Sequence, residues 1–236
     1  TTNASNVPVA VKGLKNVVAV VAGNAALSCA LVKPAPVKGV KVTGYDVWCW
    51  GMNNYGLVRG NGSYNGQSLV PVSIPAIWDY FYKKDAKGKE IKVKGKPVVV
   101  EKIGAEELAI GGTHVLVRLA NGTVKSWGEA WGSPKAYGAL GRIKNPFKPT
   151  RVPEWGPAVS IAAGTKFSCA ALKNGKVRCA GDNSYGAMGN GTREKSLMPG
   201  DVSGITTASK VVAGSQFACA LLQDQTVQCW GANSMG

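Results

Sequence analysis

The sequence has little of what most catalytic and membrane-spanning proteins need. It contains a single histidine, His114, and therefore no histidine cluster of the kind that binds transition metals. Only 13 Asp and Glu residues stand against 28 Lys and Arg, and charged residues make up 17% of the chain. No run of about 18 or more apolar residues occurs, which argues against a transmembrane helix. The chain starts at Thr1 and stops at Gly236 in mid-repeat, so we expect a processed chain or a piece of a longer one.

Glycine, in contrast, is abundant, with 31 glycines in 236 residues, where an average composition near 7% would give about 17. The glycines follow no three-residue period, which excludes a collagen helix. The hydrophobic fraction of 45% excludes a wholly disordered chain. No segment has a helical period over ten or more residues. Many glycines, seven tryptophans and few charges therefore favour an all-β chain with many tight turns.

A unit of about fifty residues recurs four times along the chain. Each unit contains an apolar stretch that ends in glycine, a short apolar strand, a turn, and a second strand that also ends in glycine. The glycines that end the second strands are separated by 77, 53 and 50 residues, at Gly51, Gly128, Gly181 and Gly231. Asn-Gly pairs at 121–122 and 174–175 predict hairpins, which we expect to turn through type I′ geometry. The repeat predicts a β-propeller of about four four-stranded blades.

The chain is predicted to be a single repeat domain over residues 1–236, with a lysine-rich and aromatic insertion at 76–96. The repeats have the approximate boundaries 14–75, 98–155, 156–205, and 206–236 plus 1–13. Residues 1–13 are included because they read as the outer strand that the fourth unit lacks, so we expect an N-terminal strand to complete the C-terminal blade and close the ring. The alternatives are blades missing from the chain, or two chains that complete each other.

The six cysteines test this register. Cys169 and Cys179 are placed symmetrically about Asn174, and the last pair is placed in the same way, so each pair would lie opposite one another across a hairpin. In the second unit Val117 and Ser126 stand at the two cysteine positions, and the joint loss of both cysteines is expected of a disulfide. The predicted bridges are Cys29–Cys49, Cys169–Cys179 and Cys219–Cys229. Three pairs of reduced cysteines in the core remain the alternative.

Two segments carry a resemblance to a known family. Residues Val211–Leu221, continued by Thr226–Asn233, resemble the repeat of the regulator of chromosome condensation family, as does Ile161–Thr192. The resemblance implies four-stranded blades around a central axis. His114 matches a small-polar or histidine position of that repeat, which implies a structural role. The family usually closes with seven blades, whereas this chain contains four units.

The most distinctive surface is predicted in the insertion, where four aromatic residues precede a series of lysines. Aromatic anchors with a basic rim are typical of binding hot spots. In the alternative interpretation Trp78 and Phe81 pin a long loop to a blade and the lysines are simply solvated. A second irregular stretch around residues 129–137 adds another Trp-Tyr pair. The candidate binding residues are Trp78, Tyr80, Phe81, Tyr82, Lys83, Lys84, Trp131 and Tyr137.

These observations predict a non-enzymatic binding or scaffold protein without catalytic residues, cofactor or metal. Disulfides persist in oxidising compartments, so we expect a secreted, periplasmic or cell-surface location. The net charge of +15 favours an anionic partner, either a protein or an anionic polysaccharide surface, in an adhesive role or in an extracellular assembly. Self-assembly is possible, and nucleic acid is disfavoured by the expected location. The resemblance implies two alternative functions, an enzyme inhibitor acting through one propeller face and a nucleotide-exchange and chromatin-binding propeller.

Overall fold

The structure is a computed structural model that describes residues 6–23, 26–53, 57–58, 66–128, 138–142 and 147–233. Its regular structure there is all β, apart from two short 3-10 helices at Pro75–Ile77 and Pro153–Trp155. The predicted all-β class is therefore confirmed. Within these ranges no helix has the length and apolar character needed to cross a membrane.

Four antiparallel sheets follow one another along the chain, and we call them blades 1 to 4. Strands are numbered in chain order. Blade 1 contains β1 (Val17–Gly23), β2 (Leu27–Val32), β4 (Asp46–Met52) and β5 (Gln67–Ser73). Blade 2 contains β10 (Ala105–Ile110), β11 (His114–Leu119), β12 (Val124–Gly128) and β13 (Thr150–Arg151). Blade 3 contains β14 (Ala158–Ala163), β15 (Phe167–Leu172), β16 (Val177–Gly181) and β17 (Ser196–Asp201). Blade 4 contains β18 (Ala208–Ala213), β19 (Phe217–Leu222) and β20 (Val227–Gly231).

The predicted Asn-Gly hairpins form, but with a different turn. In the hairpin of blade 2 only Gly122 has a positive φ, of 84°, and Gly122 N donates to Leu119 O at 2.8 Å. The side chain of Asn121 accepts the backbone N–H of Thr123 at 3.0 Å. The expected type I′ geometry, with positive φ at both central residues, is therefore wrong here. A type I turn followed by one left-handed glycine fits, because the asparagine stabilises the turn through its side chain.

Apolar clusters fill the space between neighbouring blades. One face of each blade packs on the following blade, and we call it the forward face; the opposite face packs on the preceding blade and is the rear face. Between blades 3 and 4 the forward face includes Phe167, Cys169, Ala171, Val177 and Cys179. The rear face that covers it consists of Ala208, Val211, Ala218, Ala220 and Leu222. Equivalent clusters join blade 1 to blade 2 and blade 2 to blade 3.

The first strands of the four blades converge at a shared central groove, whose described lining residues include Ala22, Gly111, Gly164 and Gly214 and none that is charged. Backbone hydrogen bonds link neighbouring blades there, with Thr165 N donating to Ser215 O at 3.0 Å. The small residues are needed for this approach. A Cβ on Gly164, for example, would lie 2.1 Å from the ring of Phe167, which folds back over it. The glycine that ends each first strand is therefore a packing residue.

All three predicted disulfides are present and join residues directly opposite one another on neighbouring strands, with Cα–Cα distances of 4.0 to 4.1 Å. Among the described residues no cysteine is free. The prediction for blade 2 was wrong by one residue on its first inner strand, because Leu116, not Val117, lies opposite Ser126. Both Leu116 and Val117 are fully buried. A strand buried on both faces has no polar alternation, so the sequence pattern could not fix which residue faces which side.

The closing strand predicted at the N-terminus is not detected. Blade 4 has three strands in the described part of the chain. Residues 6–11 lie outside any strand and are exposed; Val9, for example, is 69% exposed. The two ends of the blade series are also open, since Val20 in β1 is 68% exposed and Val227 in β20 is 61% exposed. Residues 1–5 and 234–236, on which part of this prediction depends, lie outside the described ranges.

Candidate binding surface

The insertion is built around a small sheet of its own. Strand β9 (Val99–Ile103) pairs in parallel with β3 (Lys41–Thr43), which comes from the extended first hairpin, and antiparallel with β6 (Asp79–Tyr82). A two-stranded ribbon follows β6 and consists of β7 (Lys92–Val93) and β8 (Lys96–Pro97). The insertion thus has regular backbone pairing, so its side chains have defined positions relative to blades 1 and 2.

A buried lysine of blade 2 anchors this sheet. The Lys125 ammonium donates to the backbone oxygen of Ile77 at 2.7 Å and forms an ion pair with Asp79 at 2.8 Å. Its side chain is only 7% exposed. A buried charge is tolerated when it is paired and hydrogen-bonded, so the contact holds the start of the insertion firmly against β12.

Trp78 is the second anchor. It is 8% exposed, and its indole N–H donates to the Asp46 carboxylate at 2.8 Å. The Lys102 ammonium lies 4.1 Å from the centroid of the ring, a cation–π contact. A Cβ at Gly104 would approach the ring to 2.6 Å, so the backbone there passes directly against the indole. Of the candidate binding residues, Trp78 therefore contributes packing in the structure rather than exposed surface.

The other aromatic residues of β6 reach solvent. Tyr80 is 45% exposed and Phe81 is 44% exposed, while Tyr82 is half-buried. Successive side chains of a strand point to opposite faces, so Tyr80 and Phe81 offer separate contacts on the two sides of the small sheet. Partial burial, followed by the neighbouring Tyr82 and Asp46, raises the pKa of Tyr80 above its ordinary value.

The strongest positive charge follows directly. We call residues 83–96 the lysine ribbon; its only acidic residues are Asp85 and Glu90. The Asp85 carboxylate is occupied by the backbone N–H groups of Lys87 and Lys89, at 2.9 and 3.0 Å. At the tip of the ribbon Lys94 and Gly95 both have positive φ, of 51° and 77°, which is the type I′ turn of a tight hairpin. The ribbon exposes seven lysines, Lys83, Lys84, Lys87, Lys89, Lys92, Lys94 and Lys96.

None of these seven lysines forms an ion pair with another described residue. Their charge is therefore directed to solvent and to whatever approaches the ribbon. Two other candidate residues, Trp131 and Tyr137, lie outside the described ranges. Sequence reasoning missed Lys125 as an anchor, although a lysine within the apolar strand Val124–Gly128 is a signal that could have pointed to it. The packing role of Trp78 agrees with the alternative interpretation, in which Trp78 and Phe81 pin the insertion to a blade, whereas Phe81 is 44% exposed.

The one histidine is buried in the contact between two blades. His114 and Ser168 are both inaccessible to solvent, and His114 Nε2 lies 2.8 Å from Ser168 Oγ. Burial lowers the pKa of His114 from 6.5 to about 4, so its ring is neutral at pH 7. His114 takes the place held by Phe167 in blade 3, which fits the structural role that the resemblance implies. The ranges that the structure describes hold no group of three His, Cys, Asp or Glu residues suited to a metal ion.

Comparison with known proteins supports the repeat directly. The family model of the regulator of chromosome condensation (RCC1) repeat matches residues 158–187 and 208–236, and a related model of the same repeat matches residues 174–221. Blades 3 and 4 therefore contain the matched repeats.

Solved propellers share the fold. The structure of human WBSCR16 is similar with a TM-score of 0.64 and 21% identity, over 92% of this chain and 48% of that chain. Prp20p of Saccharomyces cerevisiae, described with its binding properties to Gsp1p and histones, is similar with a TM-score of 0.63 and 20% identity, over 92% of this chain and 44% of that chain. This chain thus spans less than half the length of these two structures. At such identities the likeness establishes the fold.

Proposed function

We propose that this chain, whose residues 158–236 match models of the regulator of chromosome condensation repeat, is a non-enzymatic binding module of an oxidising compartment. Its partner is a surface with dense negative charge, and the contact is made by the lysine ribbon together with whichever of Tyr80 and Phe81 lies on the face of the small sheet that the partner approaches. The observation that carries this proposal is the set of seven exposed, unpaired lysines on an anchored insertion.

The anchoring supports binding because it lowers the cost of ordering the surface. The Lys125–Asp79 ion pair and the buried Trp78 hold the insertion before any partner arrives. A preorganised surface loses less conformational freedom on binding than a flexible loop with the same charges. The net charge of +15 adds long-range attraction that speeds the encounter with an anionic surface.

The disulfides support the proposed location of the protein. Three cross-links within one chain of 236 residues favour a secreted, periplasmic or cell-surface protein, in an adhesive role or in an extracellular assembly. Thiol titration of the protein isolated from its native source under denaturing, non-reducing conditions tests this. We expect no reactive thiol, and six reactive thiols would overturn the assignment.

A charge-reversal experiment tests the surface. The triple variant Lys87→Glu/Lys89→Glu/Lys94→Glu and the control Lys12→Glu/Lys15→Glu/Lys173→Glu both lower the net charge by six, from +15 to +9. All six lysines are exposed. Binding to immobilised heparin, to a polyglutamate peptide and to neutral dextran is measured for each protein. We expect at least a tenfold loss for the ribbon variant and a much smaller loss for the control.

The probes and the salt dependence separate the possible partners. Preference for heparin indicates a polysaccharide surface, and preference for polyglutamate indicates an acidic protein surface. Binding should weaken steeply with added salt, because exposed charges are screened within a Debye length. Equal losses in both variants would mean that only net charge matters and would overturn the ribbon as the site.

The double variant Tyr80→Ala/Phe81→Ala tests the aromatic part of the surface. Trp78 is left intact because it is needed for packing. We expect a reduction in the binding that persists at high salt, where apolar contacts remain and charge is screened. Unchanged affinity at every salt concentration would exclude these two side chains from the contact.

A further inference from the structure

Three Asn-Gly pairs lie in the part of the chain that the structure describes, at 121–122, 174–175 and 190–191. Their local geometry is the same. In each pair the asparagine Oδ1 accepts the backbone N–H of the residue two positions on, at 3.0 to 3.1 Å. The three glycines have φ values of 84°, 81° and 79°. We therefore expect their surroundings to set any difference in how the pairs react.

The first two pairs close the hairpins of blades 2 and 3, where their glycines are held on all sides. Gly122 N donates to Leu119 O at 2.8 Å, and Gly175 N donates to Leu172 O at 2.9 Å. Both glycines are buried. A Cβ on Gly175 would lie 2.1 Å from the backbone oxygen of Thr206, so another segment of backbone passes directly against that turn. Neither glycine nitrogen can move toward its asparagine side chain without breaking these contacts.

The third pair lies in the loop between β16 and β17, and its glycine is not held. Gly191 is exposed, and a Cβ there would meet no atom within 4 Å. Its backbone N–H has no hydrogen-bond partner in the described ranges. The nitrogen of Gly191 is therefore accessible to solvent and can move without loss of a contact.

The side-chain carbonyl of Asn190 is also the most strongly polarised of the three. Its Oδ1 accepts from Thr192 N at 3.1 Å, from Thr192 Oγ1 at 2.9 Å and from Asn183 Nδ2 at 3.3 Å. In the two hairpins the described residues supply one donor each, the backbone N–H. Additional donors stabilise the negative charge that develops on a carbonyl oxygen when a nucleophile attacks its carbon.

We propose that Asn190 is a site of spontaneous covalent modification, at which the backbone nitrogen of Gly191 attacks Cγ of Asn190. The glycine nitrogen gives up its proton to solvent as the new C–N bond forms. The side-chain nitrogen of Asn190 takes up a proton and leaves as ammonia. Water then opens the cyclic succinimide at either carbonyl, which gives aspartate or isoaspartate. Each event lowers the net charge by one, from +15 to +14.

The modification acts on the contact between blades 3 and 4. The same loop supplies Ala187 and Met188 to the apolar cluster between these blades, and Trp230 of blade 4 donates its indole N–H to Ala187 O at 2.7 Å. Aspartate at position 190 keeps a normal backbone and an oxygen for the three donors. Isoaspartate adds a methylene to the main chain, so it should lower the free energy of unfolding more than the variant Asn190→Asp does.

Peptide mapping of the aged protein tests the site. The folded 236-residue chain is incubated at neutral and mildly alkaline pH, then reduced, digested and analysed by mass spectrometry with standards for aspartate and isoaspartate peptides. Asn121 is the matched internal control, because Gly-Thr follows both asparagines. We expect Asn190 to react at least about tenfold faster than Asn121, since the hydrogen bond of Gly122 must break before its nitrogen can attack.

Unfolding the protein separates the effect of the fold from that of the local sequence. In urea after reduction the two asparagines should react at equal rates, because both are followed by the same two residues. In the folded protein the rate at Asn190 should rise with pH, because the attacking nitrogen must lose its proton. A smaller ratio of rates in the folded protein, or the same ratio in urea, would overturn the proposal.

Thr192→Val tests the polarisation of the carbonyl. The change removes the Oγ1 donor and keeps both the backbone donor and the Asn-Gly pair, at an exposed position where the fold should tolerate it. We expect the reaction at Asn190 to slow at least about threefold and the reaction at Asn121 to stay unchanged. An unchanged rate at Asn190 would overturn the role given to the Thr192 hydroxyl.

Discussion

Blade 2 and blade 3 hold their two inner strands together by different means. In blade 3 the two inner strands are cross-linked through Cys169 and Cys179. In blade 2 the same positions hold Leu116 and Ser126, and neither can form such a bond. Yet the inner strands of blade 2 are as deeply buried, with Trp127, Leu116 and Leu119 at 0% exposure.

Large side chains and contacts from outside the hairpin replace the cross-link. Trp127 donates its indole N–H to Leu57 O at 2.9 Å, and Ser126 donates to Leu140 O at 2.9 Å. Arg142 in turn donates to Ser126 Oγ at 3.1 Å. In blade 3, by contrast, Ala170 and Ala180 occupy the positions of Val117 and Trp127, and these smaller side chains bury less apolar area. In blade 2, large side chains and hydrogen bonds from outside the hairpin thus stand where blade 3 has a disulfide.

Removing the buried Lys125 of blade 2 should lower the free energy of unfolding more than the other changes below. Lys125→Met leaves Asp79 without its ion-pair partner and the backbone oxygen of Ile77 without its donor, so we expect a loss of about 4 kcal/mol in the free energy of unfolding. Urea denaturation measures it. The control Lys176→Met removes a lysine that is 48% exposed and paired with Asp201, and it should cost less than about 1 kcal/mol. Equal losses would mean that blade 2 does not depend on its outside contacts.

Removing a disulfide should come next. The double variant Cys169→Ala/Cys179→Ala should lose about 3 kcal/mol, because the unfolded chain regains the freedom that the cross-link removed. Cys219→Ala/Cys229→Ala opens a bridge of the same sequence separation, 10 residues, and should lose a similar amount although its blade is more exposed. Calorimetry of both variants beside the parent measures this. A loss below about 1 kcal/mol in blade 3 would show that packing alone holds it, as in blade 2.

The pH dependence of stability should report on the burial of His114 in blade 2. The pKa of His114 is lowered to about 4 in the folded protein and is near 6.5 in the unfolded chain. The unfolded state therefore takes up the proton first, and stability falls as the pH drops from about 6.5 towards 4. We expect His114 to contribute a loss of about 2 kcal/mol between pH 7 and pH 5. His114→Phe, which installs the residue of blades 3 and 4, should unfold in urea with a shallower pH profile; parallel profiles would contradict this.

Replacing Asp201, a surface carboxylate of blade 3, should have the smallest effect on the stability of the protein. Hydrogen bonds from Lys176 and Arg178 lower the pKa of Asp201, so its contribution is present at neutral pH and lost as the pH falls through that lowered pKa. Asp201 is 41% exposed, and Asp201→Asn should cost less than about 1 kcal/mol, with no effect at high salt. Thermal unfolding at low and high salt measures this. A loss above about 2 kcal/mol would mean that this exposed ion pair stabilises the protein about as much as the buried contacts of blade 2 do.

The repeat itself was readable because its signals are local. Glycine at the end of each strand, asparagine before the turn glycine and cysteines spaced symmetrically about a turn all act within one hairpin. They correctly placed the three disulfides and the four sheets. The predicted turn type was wrong, because Asn-Gly also suits a turn in which only the glycine has a positive φ.

The candidate surface was readable only in part. Aromatic residues and lysines in one insertion marked a region, but the sequence could not tell that Trp78 turns inward while Tyr80 and Phe81 turn outward. That choice depends on Asp46, Lys102 and Gly104, which lie on other strands and form the site of the indole. Contacts between distant segments leave no pattern within either segment.

The blades of this protein are encoded locally, since a hairpin with its turn, its cross-link and its terminal glycine is specified by about thirty neighbouring residues. The surface that each blade faces, in contrast, depends on how the blades are assembled. Phe167 and Phe217 occupy equivalent positions, yet one is 2% exposed and the other is 44% exposed. A side chain is buried only when a second surface packs against it, and the sequence of one blade does not state whether another blade lies there.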